Sequence, residues 1–358
     1  MNKNNHVYVA MSGGVDSTVT AVRLMDAGYQ VTGIHMETWK DPKWLEAIQD
    51  GPDPASTAAA AAESIGVPFV ALDVRERFYQ RVVKAFIEQY VAGNTPNPCL
   101  FCNPQLKWGI LQSYALEQGA DYFATGHYAR IVPGENGQVQ LLRGLDRTKD
   151  QSYVLSQLSQ QQLKCSLLPL GESTKAQVRQ QAKALNLPVA DRHDSQDLCF
   201  LGNIDYRDFL SRFAPETEAP GEIVDLNCRV LGEHHGLAFY TIGQRRGIRI
   251  SAPEPYYVVA KEPHTNRLIV GFLDQAGKSN LQAAAPNWIA EEPPVEGEIV
   301  DVMIRYRANP VLAVLVSASN DEFRLKFNQP VHGITPGQVA VLYRGDLCLG
   351  GGIIKSAW

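Results

Sequence analysis

The strongest constraint on the fold is a short stretch near the start, Ser12-Gly13-Gly14-Val15-Asp16-Ser17, set between an apolar run and a helix signal. Residues 6–11 read as a strand, and a helix is predicted from Ser17 to about Ala27, closed by Gly28. A glycine turn that passes from strand to helix is the unit from which parallel sheets are wound. The alternation continues downstream. Residues 30–35 read as a strand, 56–65 as an Ala-rich helix ended by Gly66, and 68–74 as the next strand. Phe78, Val82, Phe86 and Tyr90 recur every four residues, which predicts an amphipathic helix over 75–93. Residues 121–125 are a further buried strand. The first half is therefore expected to be α/β, with a parallel sheet and crossover helices.

Near residue 210 helical periodicity stops and turn residues multiply: Gly221, Gly243, Gly247, Pro253, Pro255, Pro263. A Pro-rich passage at 281–298 reads as a linker or strand entry. Short strands with partial alternation follow at 299–305, 311–318 and 322–327. Three domains are predicted: 1–210, a small β-rich unit at 211–280, and a β-barrel at 281–358. A chain of 358 residues is long enough for that division. No apolar run approaches the roughly 20 residues of a membrane span, and residues 1–5 lead straight into a strand without a signal sequence. A cytoplasmic protein with no membrane partner is expected. The net charge of −5 does not favour nucleic acid, although a local basic face would suffice.

The loop at 12–17 has the chemistry of an anion site. Two glycines let several N–H groups turn toward one point, Ser12 and Ser17 add hydroxyls, and the helix aims its positive end there. A Mg2+ ion would explain Asp16 beside a phosphate. A Walker loop would need a lysine after the second glycine, and none is present. The six residues instead resemble the phosphate loop of the ATP-pyrophosphatase superfamily, which implies cleavage of ATP between its α and β phosphates.

The cysteines supply the second chemistry. Thr95-Pro96-Asn97-Pro98-Cys99-Leu100-Phe101-Cys102-Asn103 sets two of them three residues apart, and its prolines predict a non-helical loop. Asp194-Ser195-Gln196-Asp197-Leu198-Cys199 sets a third among carboxylates. Two cysteines that meet can pass a sulfur, one holding a persulfide and the other finishing in a disulfide. Three thiolates on Cys99, Cys102 and Cys199 could equally hold an iron–sulfur cluster. Each cysteine alone could be a small buried residue.

Taken in order, the phosphate loop, T-P-N-P-C-x-x-C-N, A-T-G-H-Y at 124–128, G-L-D-x-x-K-D-Q-S-Y at 144–153, D-S-Q-D-L-C-F at 194–200 and the final C-L-G-G-G-I-I resemble the bacterial tRNA-specific 2-thiouridylases over essentially the whole chain. The resemblance implies thiolation of C2 of the wobble uridine of tRNA, with a sulfur-donor protein (a persulfide relay or a cysteine desulfurase) as partner. It implies ATP held by Ala10, Met11, Ser12, Gly13, Gly14, Val15, Asp16 and Ser17, with Met36 near the adenine and Gly126 lining the site. Cys102 corresponds to the nucleophile and Cys199 to the persulfide carrier. Asn97, Pro98 and Cys99 would frame the target base, and His127, Lys149, Asp150, Gln151, Arg305, Tyr306 and Gln338 match positions that touch tRNA.

This chain departs from the family pattern in two places: Ala10 replaces a common glycine, and Cys99 stands where many members have aspartate. Residues 38–55 match poorly and receive no role. Met36, Tyr153 and Tyr306 could be ordinary packing residues. Arg245, Arg246 and Arg249 could be a solvated face, yet Gly243-Gln244-Arg245-Arg246-Gly247 is the best candidate for a phosphate contact beyond those the resemblance implies. Rival readings are a small-molecule adenylating synthetase, which would need neither Cys102 nor Cys199, and a non-catalytic RNA-binding protein.

Overall fold

The computed structural model describes residues 5–47, 53–190, 198–202 and 204–358. The N-terminal strands are β1 (His6–Ala10), β2 (Gln30–Glu37), β3 (Phe69–Asp73), β4 (Tyr122–Ala124), β5 (Ala129–Pro133), β6 (Val139–Arg143) and β7 (Ser166–Leu167). Five of them form a parallel sheet in the order β3–β2–β1–β4–β7. Val7 and Val9 of β1 have no exposure, as a strand covered on both faces requires. The chain winds outward in one direction through β2 and β3, then returns to β4 on the other side of β1. A crevice therefore opens beyond the C-terminal ends of β1 and β4, the place where such sheets bind ligands. Residues 12–17 and 125–128 lie there.

The helix predicted over 75–93 runs from 75 to 91, with one π-type turn, and buries Phe78, Val82, Phe86 and Tyr90. A hairpin, β5–β6, leaves the first domain altogether. Its Leu142 pairs with Leu347 of the last strand, and Asp346 binds both Arg147 and Arg130, the latter at 2.6 Å. Residues 129–143 thus extend the sheet of the C-terminal domain, although in sequence they fall within 1–210.

Beyond 205 come β8 (Gly221–Val224), β9 (Val230–His234), β10 (Tyr257–Glu262) and β11 (Arg267–Gly271), a four-stranded sheet in the order β10–β11–β8–β9. The last six strands are β12 (Gly277–Trp288), β13 (Ile299–Met303), β14 (Val311–Ala318), β15 (Glu322–His332), β16 (Val339–Arg344) and β17 (Leu347–Ala357). They run in the order β12–β15–β14–β13–β16–β17, and β12 also pairs with β17, so the sheet closes into a barrel. Leu281, Val302, Leu315 and Leu342 fill it without exposure. The Pro-rich passage, read as a linker or strand entry, is strand as far as Trp288 and a connection from there to β13. Its register shifts between Ala284 and Asn287, with Ala285 at φ 48°, and this bulge accommodates Pro286 while bending β12 from β15 toward β17. Among the described residues no helix is long and apolar enough to cross a membrane.

Candidate active site

The helix after β1, α1 (Val15–Asp26), starts on Gly14 with no side-chain cap, so its first turn points backbone donors into the crevice. The loop is shaped from within. Ser12 N–H donates to Ser17 Oγ at 3.2 Å, and Ser17 Oγ donates to the Gly14 carbonyl at 3.2 Å. Gly13 has φ 72°, and a Cβ there would lie 2.9 Å from the Thr57 carbonyl, so only glycine lets the loop lie against the helix Pro54–Ser64. Ser12 is exposed, whereas Met11 and Val15 are buried in the core, so those two offer backbone only. Ala10 is half-buried, and Met36 is wedged between two hydrophobic clusters at the end of β2. Gly126 crosses the loop so closely that a Cβ would sit 3.0 Å from the Asp16 carbonyl carbon.

Asp16 faces a cation from a distant helix. Lys175 Nζ reaches its two oxygens at 2.8 and 2.7 Å, and the Tyr128 hydroxyl donates to Oδ1 at 2.8 Å. Gln151 accepts from Tyr128 N–H at 2.9 Å and so steadies that ring. The sequence reading assigned no role to Lys175. The available signal was its position: it opens the helix Lys175–Ala184 behind the capping box of Thr174 and Gln177, where the helix dipole disfavours a cation. A Mg2+ ion bound with ATP would find one carboxylate here, Asp16, and would take its other ligands from phosphate and water.

The second cluster surrounds the cysteines. The predicted loop turns helical at Cys99, with Pro98 as its cap residue, because a proline at a helix start removes an N–H that has no partner anyway. Asn97 Oδ1 accepts the Cys99 N–H at 3.1 Å. One helical turn then separates Cys99 from Cys102 and puts both on one face. The barrel holds this segment in place: Gln338 Nε2 donates to the Thr95 carbonyl at 2.7 Å.

Cys199 lies in the described stretch 198–202, whereas Asp194, Ser195, Gln196 and Asp197 fall outside the described residues. The segment that received no role fixes it. Asp41 N–H donates to the Phe200 carbonyl at 2.9 Å, Trp39 packs on Phe200, and a Cβ on Gly202 would lie 2.3 Å from Trp44 Nε1. Asp41, fully buried, takes two bonds from Arg212 at 3.0 and 2.6 Å. Replacing Asp41 by Ala should cost about 3 kcal/mol, the low end for a broken buried pair because Arg212 keeps some solvent. Denaturant unfolding would measure it.

The three thiols share one electrostatic environment. Burial pushes Cys102 and Cys99 up, and Cys199 is pushed up to about 11 by the same desolvation and by Cys99. Cys99 and Cys199 still expose surface, so the desolvation comes from the protein packed around them rather than from full enclosure. The half-buried Lys107 opposes it at all three. Alkylation of Cys199 should therefore rise about tenfold per pH unit from neutrality until its pKa is reached. Lys107→Met should lower labelling severalfold at constant pH, read by peptide mass spectrometry, because loss of the ammonium raises the thiol pKa further. Among the described residues no three His, Cys, Asp or Glu side chains stand together as metal ligands. Cys99, Cys102 and Cys199 thus do not fit an iron–sulfur cluster in this arrangement.

The positions read as touching tRNA divide in two. Arg305 is exposed and Tyr306 half-exposed on the barrel. The others have work inside the fold. Asp150 accepts from Gly144 N–H and Ser152, beside Lys149, and His127 is buried against Trp108, 2.7 Å from Thr125 Oγ1 and held neutral by burial. Gly126 lies against the phosphate loop, and Met36, at the end of β2, packs on the cluster that holds Cys102 and Phe200.

Three family models match the chain in succession. Residues 5–203 match the family described as tRNA methyl transferase HUP domain, 207–272 its PRC-barrel domain, and 278–354 the aminomethyltransferase beta-barrel domain. The tRNA-specific 2-thiouridylase MnmA of Carboxydothermus hydrogenoformans is 45% identical, over 98% of this chain and 97% of that protein. The chain belongs to the tRNA-specific 2-thiouridylase family. The 2-thiouridylase of Natranaerobius thermophilus is 44% identical over 100% of this chain and 99% of its own length, and that of Syntrophotalea carbinolica 44% over 98% and 99%. As a 2-thiouridylase family member the protein is a sulfurtransferase with a nucleotide-binding N-terminal domain.

Proposed function

We propose that this protein spends ATP to replace the C2 oxygen of the wobble uridine in tRNA by sulfur. The observation that supports the reading is the packing of Cys102 in one cluster with Leu198 and Phe200, the neighbours of Cys199, and with Met36 at the end of β2, next to the strand that leads into the anion loop. A uridine C2 carbonyl has a poor leaving group. Attack of its oxygen on the α-phosphate of ATP, with pyrophosphate departing, converts that oxygen to the good leaving group AMP. The α1 N-terminus, Ser12 and Lys175 would stabilise the phosphates. A Mg2+ ion on Asp16 would neutralise further charge when bound.

The sulfur arrives as a persulfide on Cys199, loaded by a donor protein. The Cys102 thiolate attacks Cys199 Sγ, the terminal sulfur leaves as hydrosulfide, and a Cys102–Cys199 disulfide forms. Hydrosulfide adds to C2 and AMP leaves with the original oxygen. A thiol reductant then returns both cysteines to thiols for the next cycle. The base must leave its stack to reach the cysteines, which a single-stranded anticodon loop makes cheap. The reaction needs no membrane and suits the reducing cytoplasm.

Nucleoside mass spectrometry of tRNA incubated with the protein, ATP and a sulfur donor tests the reading. 2-Thiouridine should appear only with ATP, together with AMP and pyrophosphate. Pyrophosphate release that proceeds without tRNA would support a small-molecule adenylating enzyme instead.

A further inference from the structure

Nine arginines follow Arg212 in the chain, and they fall into two sets. Arg229, Arg267, Arg324 and Arg344 each pair with a carboxylate. Arg245, Arg246, Arg249, Arg305 and Arg307 are exposed and pair with none among the described residues. The second set is gathered at one junction. We propose that the turn 241–249 of the central domain, with Arg305 and Arg307 of the barrel, is a phosphate clamp that registers the substrate RNA on the 95–102 segment. The proposal rests on the tRNA reading above; of the clamp the family resemblance implied only Arg305, and the turn 241–249 and Arg307 are assigned here.

The turn is built to hold its arginines still. Gly243 and Gly247, at φ 84° and 85°, mark its bends. Gln244 braces it from both sides, accepting from Thr241 N–H at 3.0 Å and donating to the Arg246 carbonyl at 2.8 Å. Backbone bonds from Gly243 N–H to Val258 and from Val258 N–H to Gln244, at 2.8 and 2.9 Å, tie the turn to β10. Arg249 sits at φ 59° and Arg307 at 61°, left-handed positions costing roughly 1 kcal/mol or more for a side-chain-bearing residue. Buried Ile248 beside Arg249 fixes the first of them. A fixed backbone presents these exposed guanidinium groups from constant anchor points, and each can bind a phosphate through two parallel bonds.

The turn is also docked. A Cβ on Gly243 would lie 2.7 Å from Gly333 Cα, and one on Gly333 would lie 3.8 Å from Arg305 Nη1. The Thr241 hydroxyl is 3.4 Å from that of Thr95, whose carbonyl accepts from Gln338. Central domain, barrel and the segment leading to Cys99 and Cys102 therefore meet within a few residues. An RNA backbone held by these arginines is held in fixed relation to the thiols.

The test compares wild type, R245A/R246A and R245K/R246K in binding an unmodified tRNA transcript across a salt series. Each lost phosphate contact should make the slope of log K against log salt shallower by about 0.7–0.9, and the alanine variant should bind roughly tenfold or more weakly near 0.1 M salt. The lysine variant should recover most of the slope. An alanine variant with wild-type affinity and slope would overturn the clamp while leaving the tRNA reading intact. Wild type that bound the transcript without salt dependence would overturn both. Sedimentation with phosphatidylserine vesicles, lost in the alanine variant while RNA affinity stays, would assign the arginines to a membrane and overturn the proposal.

Discussion

Cys199→Ser protein, supplied with tRNA, ATP and a sulfur donor, is expected to form 2-thiouridine only at background. A serine oxygen cannot carry a sulfane sulfur, so no sulfur reaches C2. Pyrophosphate release should survive for a single turnover, because the phosphate loop and Lys175 lie outside the change. Cys102→Ser should lose product as completely but by a different route: the persulfide on Cys199 would load and then stay, visible as a mass increase of one sulfur on the Cys199 peptide. Cys99→Ser separates the roles further. Cys99 raises the pKa of Cys199, so its loss should ease thiolate formation there and leave product formation within a few-fold of wild type. Full activity in Cys102→Ser or Cys199→Ser would sink the sulfur-transfer assignment, and iron retained on anaerobic purification but lost in Cys99→Ser would restore the cluster.

Local signals carried the parts of the site that depend on neighbours in sequence. The turn at 12–17 had to join a strand to a helix, and Gly13, at a positive φ against Thr57, had to be a glycine for it to do so. The four-residue spacing of Phe78, Val82, Phe86 and Tyr90 had to bury one face. What was illegible depended on long-range pairing. Nothing in residues 129–143 says that Leu142 will lie beside Leu347, since strand partners leave no local mark. Two prolines read as helix breakers at 96 and 98, but the same chemistry permits a helix to begin just after them, at Cys99. Residues 38–47 carried no motif, yet Asp41, Trp39 and Trp44 fix the Cys199 segment through burial and packing. Lys175 carried only the weak mark of a cation at a helix start, because its partner, Asp16, lies on another element.

That pair gives the second large prediction. Lys175→Met should reduce tRNA-dependent pyrophosphate release by about 10²–10³, the usual cost of deleting one preorganised group at a developing charge. The ammonium lies 2.7 Å from a carboxylate at the mouth of an anion loop, with little of its side chain exposed. Without nucleotide it neutralises Asp16. A Mg2+ ion bound with ATP would give Asp16 another counter-charge and would leave Lys175 able to turn to the phosphates, so the same ammonium would serve both states. Removing it leaves Asp16 to repel the polyphosphate, which predicts weaker ATP binding as well as slower release. Asp16→Asn removes that repulsion but also the carboxylate for Mg2+, and should shift the Mg2+ dependence of the rate to higher concentration. Lys175→Arg should not restore the rate, because a planar guanidinium does not present one compact charge between Asp16 and Tyr128. If Lys175→Met released pyrophosphate within tenfold of wild type, the lysine would be only a structural partner for Asp16, and the α1 N-terminus would carry phosphate stabilisation without it.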